Sequence, residues 1–286
     1  MKKVMIFGSA GMAGHMVTRY LQSLKKYILT DIGYGFKLNP DTVLMDIKDR
    51  ALVEKIIREK KPEVIINCIG LLVKDSEEQP DEAVYVNSYF PHFLERTGKV
   101  NNIKIIHLST DCVFSGKKGS YRETDTRDGE GFYARSKALG EIINKKDLTF
   151  RTSIIGPELK ENGTGLFHWF MTREGEVNGY TDVYWTGVTT LELAKAMDAA
   201  MDQDLTGLYH LTPEKKISKY ELLRLIKERW GKKGITIHKD TGSRSDKSLV
   251  NCRKDFHYRV KDYEGMVGDL YEWMRPQKDL YGRYFR

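Results

Sequence analysis

Tyr133 and Lys137 stand four residues apart within Gly131 to Asn144, a stretch that reads as a helix, so the phenol and the ammonium share one face about one turn apart. An ammonium in that position favours the phenolate and draws the phenol's pKa towards neutrality, giving an acid/base that works at cellular pH. Both residue types are common on helix surfaces, so the pair gains weight only from its surroundings. Upstream, the apolar run Lys104 to Leu108 passes into Ser109-Thr110-Asp111-Cys112-Val113-Phe114. This puts two hydroxyls and a carboxylate at the carboxyl edge of a strand, the edge where open α/β sheets bind ligands. Ordinary turn capping is the plainer alternative for Thr110 and Asp111.

A second cluster points to a dinucleotide. Gly8, Gly11 and Gly14 form G-x-x-G-x-x-G directly after the run Val4 to Phe7 and open a helical stretch from Met12 to Leu24. Small residues let the backbone turn tightly and approach a pyrophosphate, whose charge meets backbone amides and the positive end of the helix dipole. Gly8, Gly11, Met12 and Gly14 are the residues expected there. Asp31 ends the second strand, where a carboxylate can accept both ribose hydroxyls and repels a 2′-phosphate; NAD is therefore expected over NADP, although Lys37 downstream offers a phosphate a partner. Asp46 and Ile47 follow a third strand, in position to meet the adenine, with capping of the helix from Asp49 onward as the alternative.

The elements that must hold these residues alternate. Strand-like runs at Val4 to Phe7, Tyr27 to Thr30, Val64 to Asn67, Lys104 to Leu108 and Thr149 to Thr152 are separated by helical stretches at Met12 to Leu24, Asp49 to Arg58, Asp81 to Lys99 and Gly131 to Asn144. Near-continuous apolar strands alternating with helices predict an α/β fold, a Rossmann-type doubly wound parallel sheet. Residues 1–155 form its dinucleotide-binding part. Past Gly156 the pattern loosens, with loop expected around 157–165 and 175–187, then a helix at Leu191 to Met201, a strand at Leu208 to Leu211 and helices at Ser218 to Trp230 and Asp262 to Met274 flanking the basic stretch Lys239 to Lys254. We expect a smaller C-terminal α/β substrate-binding unit over 156–286, with 186–212 returning to the first part. Tyr281 to Arg286 reads as either a docked or a frayed tail.

Composition narrows the function. A chain of 286 residues, 40% hydrophobic, can bury a sizeable core. Its net charge of +7 invites nucleic acid, but basic and acidic residues are interleaved, as in Glu59-Lys60-Lys61, which describes solvated helix faces. No nucleic-acid partner is expected; a diphosphate-bearing small molecule suits the same charge. Cys68, Cys112 and Cys252 are far apart and read as reduced, buried thiols, and no dependable metal site emerges. The apolar run Val4 to Phe7 is too short for a signal peptide and nothing later spans a bilayer, so no membrane association is expected and the cytoplasm is the default compartment. A homodimer is compatible with all of this.

Taken together, Gly8 to Gly14, Asn67-Cys68-Ile69-Gly70, Val86-Asn87, LSTDCVFSG from Leu108 to Gly116, Tyr121 to Asp125, Tyr133 to Lys137 with Gly140-Glu141, and FRTSIIG from Phe150 to Gly156 appear in the order found in extended short-chain dehydrogenases. The chain most resembles the dTDP-4-dehydrorhamnose reductase family. The resemblance covers about the first 155 residues well and is looser beyond, through Gly187 to Thr190 and Gly207 to His210. It implies reduction, by NADH or NADPH, of the C4 carbonyl of a nucleotide-linked 4-keto-6-deoxy sugar, in deoxysugar biosynthesis for surface polysaccharide. It further implies that Thr110 hydrogen-bonds the carbonyl, Tyr133 protonates it, Lys137 holds the cofactor ribose and tunes Tyr133, and Asp111 is a candidate second acid. Cys68, Ile69, Gly70 and Asn87 would line the cofactor, Ser153 and Ile154 would approach the nicotinamide, and Phe167, Trp169 and Trp185 would stack on base or sugar, with core packing as their alternative.

Two departures bear on the substrate. The family's Pro-x-Asn-x-Tyr-Gly approach to the tyrosine is Gly129-Glu130-Gly131-Phe132-Tyr133-Ala134 here, and Cys112 replaces an aromatic after the aspartate. UDP-linked 2-acetamido-2,6-dideoxy-4-keto sugars are therefore substrates to weigh beside dTDP-linked ones. Dehydratases of similar sequence carry an Asp-Glu pair where this chain has Asp111-Cys112, which removes the second acid/base group. A sugar-nucleotide epimerase remains the enzymatic alternative. From another class, the regulatory β subunit of methionine adenosyltransferase resembles the same family, so a non-catalytic dinucleotide-binding role is the third reading.

Overall fold

The structure, a computed structural model, describes residues 1–285. In chain order it runs β1 (Lys2–Phe7), α1 (Met12–Ser23), β2 (Tyr27–Gly33), β3 (Val43–Leu44), α2 (Arg50–Lys60), β4 (Val64–Asn67), α3 (Val73–Glu78), α4 (Pro80–Ala83), a π-helical turn (Val84–Tyr89), α5 (Phe90–Asn101), β5 (Lys104–Ser109), α6 (Gly131–Leu139) and β6 (Leu148–Arg151). Then follow β7 (Ile154–Ile155), α7 (Leu166–Met171), β8 (Gly175–Trp185), β9 (Val188–Thr189), α8 (Thr190–Asp202), β10 (Gly207–His210), β11 (Ile217–Ser218), α9 (Lys219–Trp230), β12 (Ile235–Asp246), α10 (Tyr263–Met274) and α11 (Lys278–Tyr281).

Seven strands make one parallel sheet in the order β10-β6-β5-β4-β1-β2-β3. The central strands are apolar on both faces because each face is covered. On one side Val17 and Leu21 of α1 and Ala194, Met197 and Met201 of α8 pack on Val4, Ile6, Ile66 and Phe150; on the other, Val53 and Ile57 of α2 and Phe90, Phe93 and Leu94 pack on Met5, Phe7, Ile65 and Ile105. The order reverses between β1 and β4, and the loops leaving those strands diverge there into a crevice, the place where doubly wound sheets seat nucleotides.

A three-stranded sheet, β11-β8-β12, forms the smaller unit with α7, α9 and α10. Where the sequence suggested loop at 175–187, β8 runs for 11 residues. Gly179 is the reason the pattern misled: a Cβ there would lie 3.0 Å from Tyr220 Cα, so this glycine is a close approach of α9 to the strand, not a turn. The expected helix over Gly131 to Asn144 stops at Leu139, since a Cβ at Gly140 would fall 1.8 Å from the Asn87 carbonyl. The stretch expected as one helix from Asp81 to Lys99 is broken by the π-helical turn that carries Asn87. At the C-terminus Tyr281 and Tyr284 are buried in the second core, so the tail is docked; Arg286 lies outside the described residues.

Candidate active site

The glycine turn lies at the β1/β4 switch point. Gly8 has φ +86°, a left-handed conformation that favours glycine, and a Cβ on it would sit 3.1 Å from the Cys68 carbonyl carbon. A Cβ on Gly14 would come within 2.0 Å of the Gly8 carbonyl oxygen, so α1 is drawn tightly against the turn. Helix α1 begins with no side-chain cap and no acidic residue in its first turn, which leaves its N-terminal dipole available to an anion. Such a cradle fits the pyrophosphate of a dinucleotide.

Around it, Asn67 Oδ1 accepts from the Ile69 amide at 3.1 Å and fixes the Cys68-Ile69-Gly70 loop. Asn87 does the same from the π-helical turn: Oδ1 accepts from the Leu71 amide (2.9 Å), while Nδ2 donates to the Leu71 carbonyl and to Ser136 Oγ, both at 3.1 Å. The amide of Asn87 is thus engaged in tying the Gly70 loop to α6. Asp31 is buried, with its carboxylate accepting from Thr42 Oγ1 at 2.6 Å and from Asn39 Nδ2 at 3.4 Å. Lys37 turns back to the Pro40 carbonyl (3.2 Å). Asp46 is exposed and bonds the Lys48 amide, with Ile47 half-buried beside it; the cap of α2 is Asp49 itself, accepting from Leu52 N at 3.0 Å.

Thr110 caps the short 3₁₀ turn that follows β5: its Oγ1 accepts from Cys112 N at 3.1 Å and donates to Asp111 Oδ1 at 3.2 Å. The capping alternative weighed for Thr110 is thus present in the structure. Tyr133 enters from α6 with its phenol against Thr110, Cys112 and Asp111. Gly129 brings it there. The Gly129 amide bonds the Val113 carbonyl (2.9 Å), and a Cβ on Gly129 would meet the Cys112 carbonyl oxygen at 2.6 Å, so the approach to Tyr133 lies flat on the 3₁₀ turn. Gly131 then has φ +83° with the Glu77 carboxylate behind it. The glycines at the departure from the usual motif have a packing reason.

Lys137 is 4% exposed, and its Nζ donates to the Leu108 carbonyl at 2.7 Å. Burial draws its pKa down from 10.5 to about 8, opposed by Glu141 and Cys68. The expected lowering of the Tyr133 pKa is corrected here. Desolvation, then the Cys112 thiol, push the phenol above its usual value, with Thr110 acting in the opposite direction, and among the described residues no hydrogen bond joins Lys137 to Tyr133. That direction favours the protonated phenol, the form a proton donor needs.

Ser153 and Ile154 leave the carboxyl end of β6, half-buried, with the Ser153 carbonyl accepting from Val188 N at 2.8 Å. Two of the aromatic residues are corrected. Phe167 is 1% exposed, packed edge-on to Trp230 (5.0 Å between centroids) and against Tyr284, and Trp185 is 3% exposed in the same core; neither has a free face for a base or sugar. Trp169 is half-buried, with Arg173 over its ring. Cys252 is exposed and Cys68 and Cys112 half-buried, not the uniformly buried thiols expected.

The structure also brings in residues that sequence reasoning passed over. Glu141 and Arg151 form a buried pair, Nε to Oε1 at 2.8 Å and Nη2 to Oε2 at 2.7 Å, and Oε1 also accepts from Ser109 Oγ at 2.8 Å, next to Thr110. Arg151 Nη1 donates to His210 Nε2 (2.8 Å), so that ring donates from Nδ1 to the Val250 carbonyl. Lys219 and Lys247 face Asp111 from the second unit. A capping box, Ser218 with Glu221, is the signal that marks the start of α9 and so the place of Lys219; nothing local in the sequence points it at Asp111.

The family model described as RmlD substrate binding domain matches residues 1–251. A dTDP-4-dehydrorhamnose reductase of Mycobacterium tuberculosis is 32% identical over 198 residues, 65% of this chain; the matched stretch spans 64% of that relative. Among solved structures, a hypothetical dTDP-4-dehydrorhamnose reductase from Sulfolobus tokodaii superposes with a TM-score of 0.77 at 26% identity, covering 93% of this chain and 99% of the other. A Bacillus anthracis dTDP-4-dehydrorhamnose reductase in complex with NADP shares the fold, with a TM-score of 0.79 at 20% identity over 96% of this chain and all of the other. With a family match over residues 1–251 and the glycine turn, Thr110, Tyr133 and Lys137 in one crevice, the chain belongs to the RmlD substrate binding domain family.

Proposed function

We propose that the protein reduces the C4 carbonyl of a nucleotide-linked 4-keto-6-deoxy sugar with a reduced nicotinamide dinucleotide. The observation that carries this reading is that α6 lays Tyr133 and the buried Lys137 against the carboxyl end of β5, where Lys137 donates to the Leu108 carbonyl two residues before Thr110. A reduced nicotinamide bound in that crevice supplies the hydride to C4. Thr110 Oγ1 orients the carbonyl oxygen, and Tyr133 gives its proton to that oxygen, so the product is the alcohol and the phenol is left as phenolate. Lys137, buried one turn away, stabilises that phenolate and binds the ribose. Asp111 is a second acid within reach of Thr110. Gly8, Gly11, Met12 and Gly14 take the pyrophosphate, Cys68 to Gly70 and Asn87 the nicotinamide side, Ser153 and Ile154 the nicotinamide itself, and Asp46 with Ile47 the adenine.

On this reading residues 1–155, with 186–212, hold the dinucleotide and 156–286 chiefly the substrate. That division is supported by β10, which pairs with β6 at the sheet edge, and by α8 packed with α1. NADH is favoured, because the Asp31 carboxylate stands at the ribose end and forms no ion pair among the described residues. No helix among those residues is long and apolar enough to cross a membrane, and we place the reaction in the cytoplasm, where reduced dinucleotide is available. The test is loss of NADH or NADPH absorbance with dTDP-, UDP- and GDP-linked 4-keto-6-deoxy sugars. Net oxidation of the dinucleotide, with Tyr133→Phe slower by about 10²–10⁴-fold while still folded, is the expected outcome. Redox-neutral interconversion with retained cofactor would establish an epimerase instead, and a kcat/KM favouring NADPH would overturn the role given to Asp31.

A further inference from the structure

Lys219 is placed at an electrostatic cost. It is the first residue of α9, where the helix dipole is positive and a cation is at the wrong end. Its ammonium lies 5.1 Å from the centre of the buried Trp185 ring, and burial lowers its pKa to about 8. The charged or ionisable groups it faces are Asp111 and Cys112 of the turn that begins at Thr110. Lys247 faces the same Asp111, from the segment after β12, with its side chain laid along Gly116; a Cβ there would be 3.0 Å from Lys247 Cγ. Among the described residues neither lysine joins an ion pair or donates a side-chain hydrogen bond, whereas neighbouring Lys216 is paired with Asp246. Two ammonium groups thus look onto one carboxylate, and burial favours the protonated form of that carboxyl. The side of the Asp111 turn that meets the second unit thus carries more positive than negative charge. Both lysines are half-buried, and cations brought beside a carboxylate without being paired to it are candidates for holding an anion.

We propose that Lys219 and Lys247 are substrate-binding residues that take an anionic oxygen of the substrate's diphosphate, and so hold the sugar between the second unit and Thr110. The proposal rests on the reading that the substrate is a nucleotide-linked sugar. It adds to that reading a pair of contacts supplied by the α9 start and the segment after β12. Trp185, buried beneath the Lys219 ammonium, is then a support for the cation, with no stacking role of its own.

The experiment measures binding of inorganic pyrophosphate, a nucleoside diphosphate and the parent nucleoside by calorimetry to the full chain and to Lys219→Met, Lys219→Arg and Lys247→Met, with NADH binding as the check on folding. Expected is a loss of about tenfold or more in diphosphate affinity in the methionine variants, about threefold or less in Lys219→Arg, and unchanged nucleoside and NADH binding. Unchanged diphosphate affinity in both methionine variants would overturn the proposal, because a 4-keto-6-deoxy sugar carries no anionic oxygen of its own. Methionine variants with wild-type affinities and KM would overturn it, as would a loss confined to kcat, which would make Lys219 a group acting on the reacting carbonyl. Should Lys219→Met fail to bind NADH, Lys247→Met and the salt dependence of wild-type pyrophosphate binding decide, a salt-independent affinity counting against the proposal. A wild type that binds the diphosphates yet reduces no keto sugar sinks the proposed reaction and leaves the anion site standing.

Discussion

Replacing Glu141 with glutamine removes the one carboxylate shared by two arginines, Arg151 with its side chain 1% exposed and Arg127 at 3.1 Å from the other side. The isostere keeps one acceptor for Ser109 or for Arg151 Nε but turns an amide NH₂ towards a guanidinium that also donates. Arg151 cannot reach water, and its remaining partners are His210 Nε2 and the face of Phe114, 4.9 Å away. Breaking a buried pair from one side costs about 3–5 kcal/mol, and the hydrogen bonds that glutamine preserves put this case near about 3 kcal/mol. At about 2–4 °C per kcal/mol for a chain of this size, the melting temperature should fall by about 6–12 °C. Thermal unfolding followed by circular dichroism at pH 7 measures it. Removing both charges, in Glu141→Gln with Arg151→Met, should recover part of the loss, because no uncompensated guanidinium is left among those two positions. A single-variant fall of less than about 2 °C, or additive effects in the double variant, would refute the reasoning.

Burial holds the Lys137 pKa at about 8 against 10.5 in the unfolded chain, so between those values the unfolded state binds more protons and stability rises with pH. Lys137→Met should therefore melt higher than wild type at pH 7, show a smaller rise from pH 8 to 10.5, and lose turnover; calorimetry at pH 7 and 10 checks the first two, and equal melting temperatures at pH 7 would contradict them. Phe167→Ala should cost about 3–5 kcal/mol in denaturant unfolding and leave KM for the sugar nucleotide within about twofold, since the ring is core; a raised KM at unchanged stability would restore its stacking role.

The sheet was legible because its strands are buried on both faces and its helices carry one apolar face, so periodicity survives at the level of single residues. Val64–Asn67 has the same bounds in sequence and structure, and Met12–Ser23 differs by one residue. Elements set by a neighbour were not legible. Gly140 ends α6 because of the Asn87 backbone, and Gly179 sits in a strand because of Tyr220, yet in the sequence both are only glycines. The site divides in the same way. Tyr133, Lys137, Thr110 and the glycine turn sit at element ends that the pattern reveals. Whether Lys137 meets a phenol or the Leu108 carbonyl, and which aromatics keep a free face, depends on packing between residues far apart in the chain. Aromatic side chains carry the same apolar signal whether they line a pocket or fill a core, so Phe167 and Trp185 could only be separated from Trp169 by their burial.

The turn that begins at Thr110 is held from the second unit as well as from its own strand. After Phe114 the chain makes an excursion to Gly129, and the segment after β12 runs beside it: Gly116 O accepts from Asp246 N (2.9 Å), Tyr121 N donates to Ser248 O and Val250 N to Tyr121 O, both at 2.8 Å. Gly119, at φ +73°, leaves room for the Asp246 carboxylate, which a Cβ would meet at 2.5 Å. Tyr121 stacks on Phe114 at 4.2 Å, Phe114 lies under Arg151, and Arg151 reaches Val250 through His210. These bonds close a loop: the strand that presents Thr110, the pair that fixes Ser109, and the segment that carries Lys247 share partners, so displacing any one of them moves the others. The segment that carries Lys247 and the strand that presents Thr110 are thus tied through the same buried residues, Tyr121, Phe114, Arg151 and His210.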